Sequence, residues 1–239
     1  MKPLFYENPV ALHPQTLAGA ALADPLDYGF ARDTNIIPIS LNEIPLAAQA
    51  YPIAFTIDGG VRPVAVVGVR DDENLFVDSR GRWADNAYVP AYVRRYPFIL
   101  GEQDGGEFVT LCIDHCPRVL VAEGRGKALF QGEEPTGLVK RAFEFCQSYR
   151  AMEAATGPFI EALIEHALLD ARVTTISMPD GGEIRLAGFA TLDEAKLRGL
   201  SDEVFLEFRH KGWLKAIYAQ LQSTLNWNLL ADRLVSVQT

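Results

Sequence analysis

Seven side chains within sixteen residues carry the densest chemistry of the chain: Trp83, Tyr88, Tyr92, Arg94, Arg95, Tyr96 and Phe98. Aromatic rings with arginine are the composition of recognition surfaces. Rigid rings bury area at low entropic cost, and a guanidinium forks onto a carboxylate or phosphate. A helical turn over Pro90 to Arg95 sets Tyr88, Tyr92 and Arg95 near one face. The expectation is a pocket or groove for a peptide or an anionic small molecule. The plainer alternative makes Trp83, Tyr96 and Phe98 core residues and pairs the arginines with acids such as Asp85.

Other reactive residues point to less. Cys112-Ile113-Asp114-His115-Cys116 is the one metal-like string. A strand sets Cys112, Asp114 and Cys116 on one face and His115 on the other. A structural zinc site wants four Cys or His ligands, and neither a CxxC pair nor a distant HxxxH completes this one. Two half-buried thiols at a strand end are the simpler reading, so no metal and no cofactor is expected. His13, His115, His166 and His210 are scattered, with no HExxH and no facial-triad spacing. GxSxG, P-loop and GxGxxG patterns do not occur, and Gly124-Arg125-Gly126-Lys127 reads as a turn. The acidic pairs Asp71-Asp72-Glu73 and Glu133-Glu134 read as turn or surface charge, and Asp193-Glu194 as a helix cap. A triad assembled from distant residues leaves no local trace, so an enzyme with dispersed residues stays open as an alternative.

These side chains need a scaffold, and the apolar pattern outlines it. Asn35 to Ile39 is a short strand. Ser40 caps a short helix, with Glu43 as capping-box partner, and the helix ends before Tyr51-Pro52. Ile53 to Ile57 and Pro63 to Val69, joined through Asp58-Gly59-Gly60, form a β-hairpin. Asn74 to Asp78 is a further strand. Phe108 to Ile113 and Arg118 to Ala122 make another strand pair.

The second half changes period. Leu138 to Ala155 is helical, with Val139, Phe143, Cys146 and Arg150 near one stripe. Gly157-Pro158 breaks it, and Phe159 to Leu169 starts a new helix. Val173 to Met178 and Glu183 to Ala190 form a hairpin around Asp180-Gly181-Gly182. Asp193-Glu194 opens a short helix, Ser201 caps one that Gly212 ends, and Trp213 to Arg233 is a last long helix with an apolar stripe. Trp213 and Trp227 on that helix raise a homodimer as one option. The fold class is α+β: a mostly antiparallel N-terminal sheet with short helices, then a helix-rich half carrying a hairpin. Residues 1–33 form an arm or lead-in, 34–132 the β-rich half and 133–239 the helix-rich half, the last two closely packed.

The chain has 239 residues, 49% of them hydrophobic, enough to bury a sizeable core. A net charge of -9 opposes loose binding to nucleic acid or anionic lipid, which need a basic footprint. No apolar run reaches the length of a membrane span. Met1 to Leu12 has no continuous apolar stretch of the kind a signal peptide carries, and three cysteines do not read as a disulfide framework. Cytoplasmic residence is the default expectation.

The stretch Gly81-Arg82-Trp83 … Tyr88-Val89-Pro90-Ala91-Tyr92-Val93-Arg94-Arg95-Tyr96-Pro97-Phe98 resembles the central signature of the SapC family. Tyr51-Pro52-Ile53 and Asn74-Leu75-Phe76 precede it at the family's spacing. Leu192 to Leu197 and Gly212 to Ala219 are similar to the family's second half, so the resemblance runs from about residue 34 to the C-terminus. It implies a bacterial protein of a group named for a surface layer, which makes a structural component of the envelope layer an alternative function and envelope association an alternative location. Relatives encoded beside flavin-dependent halogenase-like proteins and TonB-dependent receptors imply nutrient uptake or peptide modification. The resemblance supplies no catalytic residue set. The leading expectation is therefore a non-enzymatic accessory or binding protein, holding a peptide, protein partner or small anionic ligand on Trp83, Tyr88, Tyr92, Arg94, Arg95 and Tyr96.

Overall fold

The computed structural model describes residues 3–103, 108–171, 174–177 and 183–238. Two short strands open the chain, β1 (Pro9–Ala11) and β2 (Ala20–Leu22). Then come β3 (Ile36–Pro38), helix α1 (Ile44–Ala47), β4 (Ile53–Thr56), β5 (Pro63–Val66) and helix α2 (Ala91–Arg94). The strands β6 (Phe98–Gln103), β7 (Phe108–Asp114), β8 (Leu120–Ala122), β9 (Lys127–Ala128), β10 (Phe130–Gln131) and β11 (Glu134–Pro135) follow. After helix α3 (Gly137–Glu165) lie β12 (Leu169–Ala171), β13 (Thr174–Ser177), β14 (Glu183–Leu186) and β15 (Phe189–Leu192). Helices α4 (Glu194–Arg198), α5 (Asp202–His210), α6 (Leu214–Ser223) and α7 (Asn226–Gln238) complete it. This is an α+β fold.

A five-stranded antiparallel sheet, β12-β15-β4-β5-β3, is the centre. The expected hairpin is its middle: Ile53 pairs with Ala65 and Phe55 with Pro63. Every residue of β5 is buried, as the continuous run Pro63-Val64-Ala65-Val66 requires of a strand covered on both faces. Helices α6 and α7 help cover it: Ile217, Leu230 and Leu234 share one core with Ile37, Ile53 and Phe55. A second core, around Tyr6, Tyr96, Phe98, Ile113, Leu129 and Cys146, lies under the small sheet β1-β7-β6. Tyr6 and Leu17 in that core, and Ala31 in the first, show that residues before 34 pack on the body.

Local signals placed the caps. Glu43 accepts from both the amide and the hydroxyl of Ser40. Asp193 accepts from the amides of Ala195 and Lys196, Ser201 from Val204, and Gly212 leaves α5 at φ +73°.

Four expected elements differ. Asn74 to Asp78 is not a strand: only Val77 bridges, to Trp83. The Asn74 carboxamide accepts from the Phe76 amide and donates to the Ala31 carbonyl, so a side chain takes the place of a ladder. β7 does not pair with its successor. It lies between β6 and β1, while β8 pairs with β2, because the turn at Cys116 to Val119 carries the chain away. α3 runs unbroken through Pro158, held by burial of Thr156, Phe159, Ile160 and Leu163 around it. The last helix is two, parted at Thr224, whose hydroxyl donates to the Leu221 carbonyl.

The second hairpin is present as β13 on β14, with Thr174 opposite Leu186 and Ser177 opposite Glu183. Gly188, at φ +86°, then turns the chain so that β15 joins the central sheet. Val173, Met178 and the turn Asp180-Gly181-Gly182 lie outside the described residues.

Candidate functional site

The aromatic and basic cluster does not form one surface. Trp83, Tyr92, Tyr96 and Phe98 are buried, Tyr88 and Arg95 half-buried, and Arg94 exposed. Trp83 donates its indole N–H to the Tyr51 hydroxyl at 2.9 Å and borders a cleft of about 450 Å³ with Asp85 and Arg233. Tyr96 points into the second core, where its hydroxyl donates to Asp114 and its ring stacks on Phe30. Arg94 donates to the Val89 carbonyl and the Tyr88 hydroxyl and lies over the Tyr88 and Phe145 rings. Asp85 pairs with neither arginine.

The cluster is positioned from below by one carboxylate. Glu43 is buried at 3% exposure. One oxygen holds Ser40; the other accepts from the Ala91 amide at 2.6 Å and the Tyr88 hydroxyl at 3.1 Å. Ala91 is the first residue of α2, so its N–H has no partner within that helix, and a carboxylate there also opposes the helix dipole favourably. Glu43 thereby fixes the turn that carries Tyr92 and Arg95.

Arg95 has the most unusual surroundings. Its guanidinium carbon lies 4.1 Å from the centre of the Tyr92 ring, 4.5 Å from Tyr149 and 5.9 Å from Tyr6. Such contacts are worth about 0.5–2 kcal/mol each. They do not satisfy its donors. The Nε is buried without a hydrogen-bond partner, and the guanidinium makes no ion pair among the described residues. Burial works to lower the Arg95 pKa; the neighbouring Tyr6, Tyr149, Tyr92 and Glu153 outweigh it and the net direction is up. The group is a cation at every physiological pH. Burial pushes the Tyr6 and Tyr149 hydroxyls far above the usual tyrosine range, so neither supplies a phenolate to balance it.

Arg95 lines a cleft of about 1030 Å³ between α3, β6 and the β3–β5 edge. The apolar wall includes Leu4, Ile39, Val61, Ile99, Leu100 and Ile160. α3 supplies Cys146, Tyr149, Arg150, Glu153, Thr156, Gly157, Ile160 and Glu161 to it. Of these, Cys146, Tyr149, Glu153, Thr156 and Ile160 recur at three- and four-residue spacing, which is one helix face. That spacing is the signal that links Tyr149 to Cys146 and the cleft. Tyr6 has no comparable signal, because it arrives from the N-terminal segment. Glu153 accepts from the Tyr149 hydroxyl at 3.1 Å, which holds that ring against Arg95.

The cysteine string gives no metal geometry. Asp114 and Cys116 are buried around the Tyr96 hydroxyl, Cys112 is half-buried and His115 is exposed. Among the described residues no three His, Cys, Asp or Glu side chains gather as a metal site would require. Cys146, the cleft's thiol, is pushed up by burial to about 11, with Arg95 pulling the other way. A thiol in that range is a poor nucleophile. Among the described residues, no helix is long and apolar enough to cross a membrane.

Fold and site together describe an α+β protein organised around a cleft that holds an uncompensated cation among tyrosines. The chain belongs to the SapC family, whose model matches residues 12–230. No curated protein and no solved structure shows a significant match.

Proposed function

We propose that this chain is a non-enzymatic accessory protein that holds an anionic small ligand or the anionic group of a peptide or protein partner in the cleft at Arg95. The observation that carries this reading is the Arg95 guanidinium itself: half-buried, flanked by Tyr92 and Tyr149, and without a carboxylate on it. Leaving a buried donor unmade costs about 1–3 kcal/mol, and an anion that enters the cleft recovers this. The cleft has the size and apolar wall of a ligand site, with few polar groups to fix orientation. Its titratable groups do not favour catalysis. No histidine lines it, and its thiol and the Tyr149 hydroxyl are pushed away from neutral pH. The reading places the protein in the cytoplasm, with the envelope as the alternative its family name supplies.

A thermal-shift survey of small anions and short acidic peptides tests the reading, run on the full chain and on Arg95→Met. Compounds that raise the melting temperature of the native chain and leave that of Arg95→Met unchanged support it. Equal shifts in both proteins, or no shift with any compound, refute it.

A further inference from the structure

Resting on that reading, we infer that the cleft takes a single carboxylate carried on an apolar body, rather than a phosphate. Three features of the lining select this class. The first is charge. Arg95, the cation with the unpartnered buried donor, shares the cleft with the carboxylates of Glu153 and Glu161. A monoanion balances that cation; a phosphate near its dianionic state leaves an excess of negative charge beside two glutamates.

The second feature is the supply of donors. Phosphate sites use several converging N–H groups, commonly at a helix N-terminus or a glycine-rich loop. Here α3 crosses the cleft with its interior turns, from Cys146 to Glu161, where amides already bond to carbonyls four residues back. Ile99 and Leu100 sit in the β6–β7 ladder opposite Cys112 and Leu111. Pro3, Pro38 and Pro63 have no N–H to give. The backbone therefore contributes little, and the recognition falls to a guanidinium, whose two-pronged edge matches the two oxygens of a carboxylate.

The third feature is the remainder of the wall. Leu4, Ile39, Val61, Ile99, Leu100 and Ile160 suit a hydrocarbon or an apolar side-chain body, not a hydrated sugar or nucleoside. Gly157 keeps the wall open: a Cβ there meets nothing within 4 Å. Two sources share this chemistry, the free C-terminus of a peptide ending in apolar residues and a medium-chain fatty acid.

Isothermal titration calorimetry on the full chain separates the possibilities. The probes are octanoate, octanamide and octyl phosphate, with N-acetyl-Leu-Leu-Leu as free acid and as C-terminal amide. In the native chain at least one free acid is expected to bind tenfold or more tightly than its amide, and octyl phosphate more weakly than octanoate. Whichever acid binds more tightly identifies the source. In Arg95→Met the acid-to-amide preference falls to near one. In Gly157→Leu both acids and amides weaken together, because the body of the ligand is displaced while Arg95 is untouched. Equal binding of acid and amide by the native chain, or a preference that survives in Arg95→Met, overturns the inference. Tighter Arg95-dependent binding of octyl phosphate overturns the carboxylate class and leaves the anion-binding reading standing. No binding by any probe, together with a blank thermal-shift survey, removes both.

Discussion

The carboxylate of Glu43 reaches the amide of Ala91 at 2.6 Å, across forty-eight residues of sequence. That bond joins the turn capped by Ser40 to the turn bearing Tyr92 and Arg95. Glu43→Gln keeps the size and presents an amide to donors that need an acceptor. We expect a loss of about 2–4 kcal/mol, in the range of a charged hydrogen bond removed with a buried donor left behind. A shifted denaturant midpoint at unchanged m-value is the measurement. A midpoint equal to that of the native chain contradicts the assignment.

Arg95 and Tyr92 are adjacent in space, yet their variants should behave in opposite ways. Arg95→Met retains an apolar stem and removes an unpaired buried donor, so its stability should stay within about 1 kcal/mol of the native chain. Tyr92, at 7% exposure, belongs to the core, and Tyr92→Ala should cost about 3–5 kcal/mol. Urea unfolding of the two variants side by side decides this, and a large loss for Arg95→Met shows that the guanidinium is a structural element instead.

Asp114 is fully buried and accepts from the amides of Glu7 and Asn8 and from the Tyr96 hydroxyl. It is the clasp of the N-terminal segment. Asp114→Asn should lower stability by about 2–4 kcal/mol and make residues 3–12 the first site of limited proteolysis. Cleavage elsewhere first, at an unchanged rate near the N-terminus, speaks against the clasp.

Gly157 lies inside α3 without a left-handed φ and with open space beside it. Gly157→Ala should therefore stabilise the fold by about 0.5–1 kcal/mol, the usual helix-interior difference. A fall in melting temperature would show that the cleft wall tolerates no added methyl.

The Cys146 thiol releases its proton at about 11 in the folded chain and near its ordinary value, 9, when unfolded. Between these values the unfolded chain binds fewer protons, so stability is full below about pH 8.5 and declines as pH rises. Cys112 shifts in the same direction through burial. Cys146→Ala should start from lower stability and lose less of it between about pH 8 and about pH 10; the buried tyrosines, whose ordinary value is 10, contribute to the decline equally in both proteins. The difference in slope is at most about 1.4 kcal/mol per pH unit. Parallel slopes would mean that the thiol titrates freely.

Much of the local structure was legible from neighbouring residues. Ser40 with Glu43, Asp193, Ser201 and Gly212 each announce a helix end within four residues. The Ile53 and Pro63 runs announce their own hairpin. What failed needed knowledge of distant partners. Nothing near Phe108 says that Pro9–Ala11 will lie beside it, and nothing near Pro158 says that Phe159 and Leu163 will be buried deeply enough to carry a helix through a proline. The site divides in the same way. Tyr92 and Arg95 stand out in the sequence because they are close together. Tyr149 and Tyr6 do not, because α3 and the N-terminal segment deliver them from fifty or more residues away. Trp83, Tyr88, Arg94 and Tyr96 share that window and are drawn off to other neighbours, since consecutive residues of a turn face in different directions.

Helix α3, about 44 Å long at 1.5 Å per residue, sends Val139 and Cys146 into one hydrophobic cluster and Tyr149, Phe159 and Leu163 into the other. It acts as a shared beam: neither cluster can come apart without bending the member that supports its neighbour. Heating should accordingly give one calorimetric peak, and a ligand gripped beside Arg95, near the middle of the beam, should stiffen both ends at once.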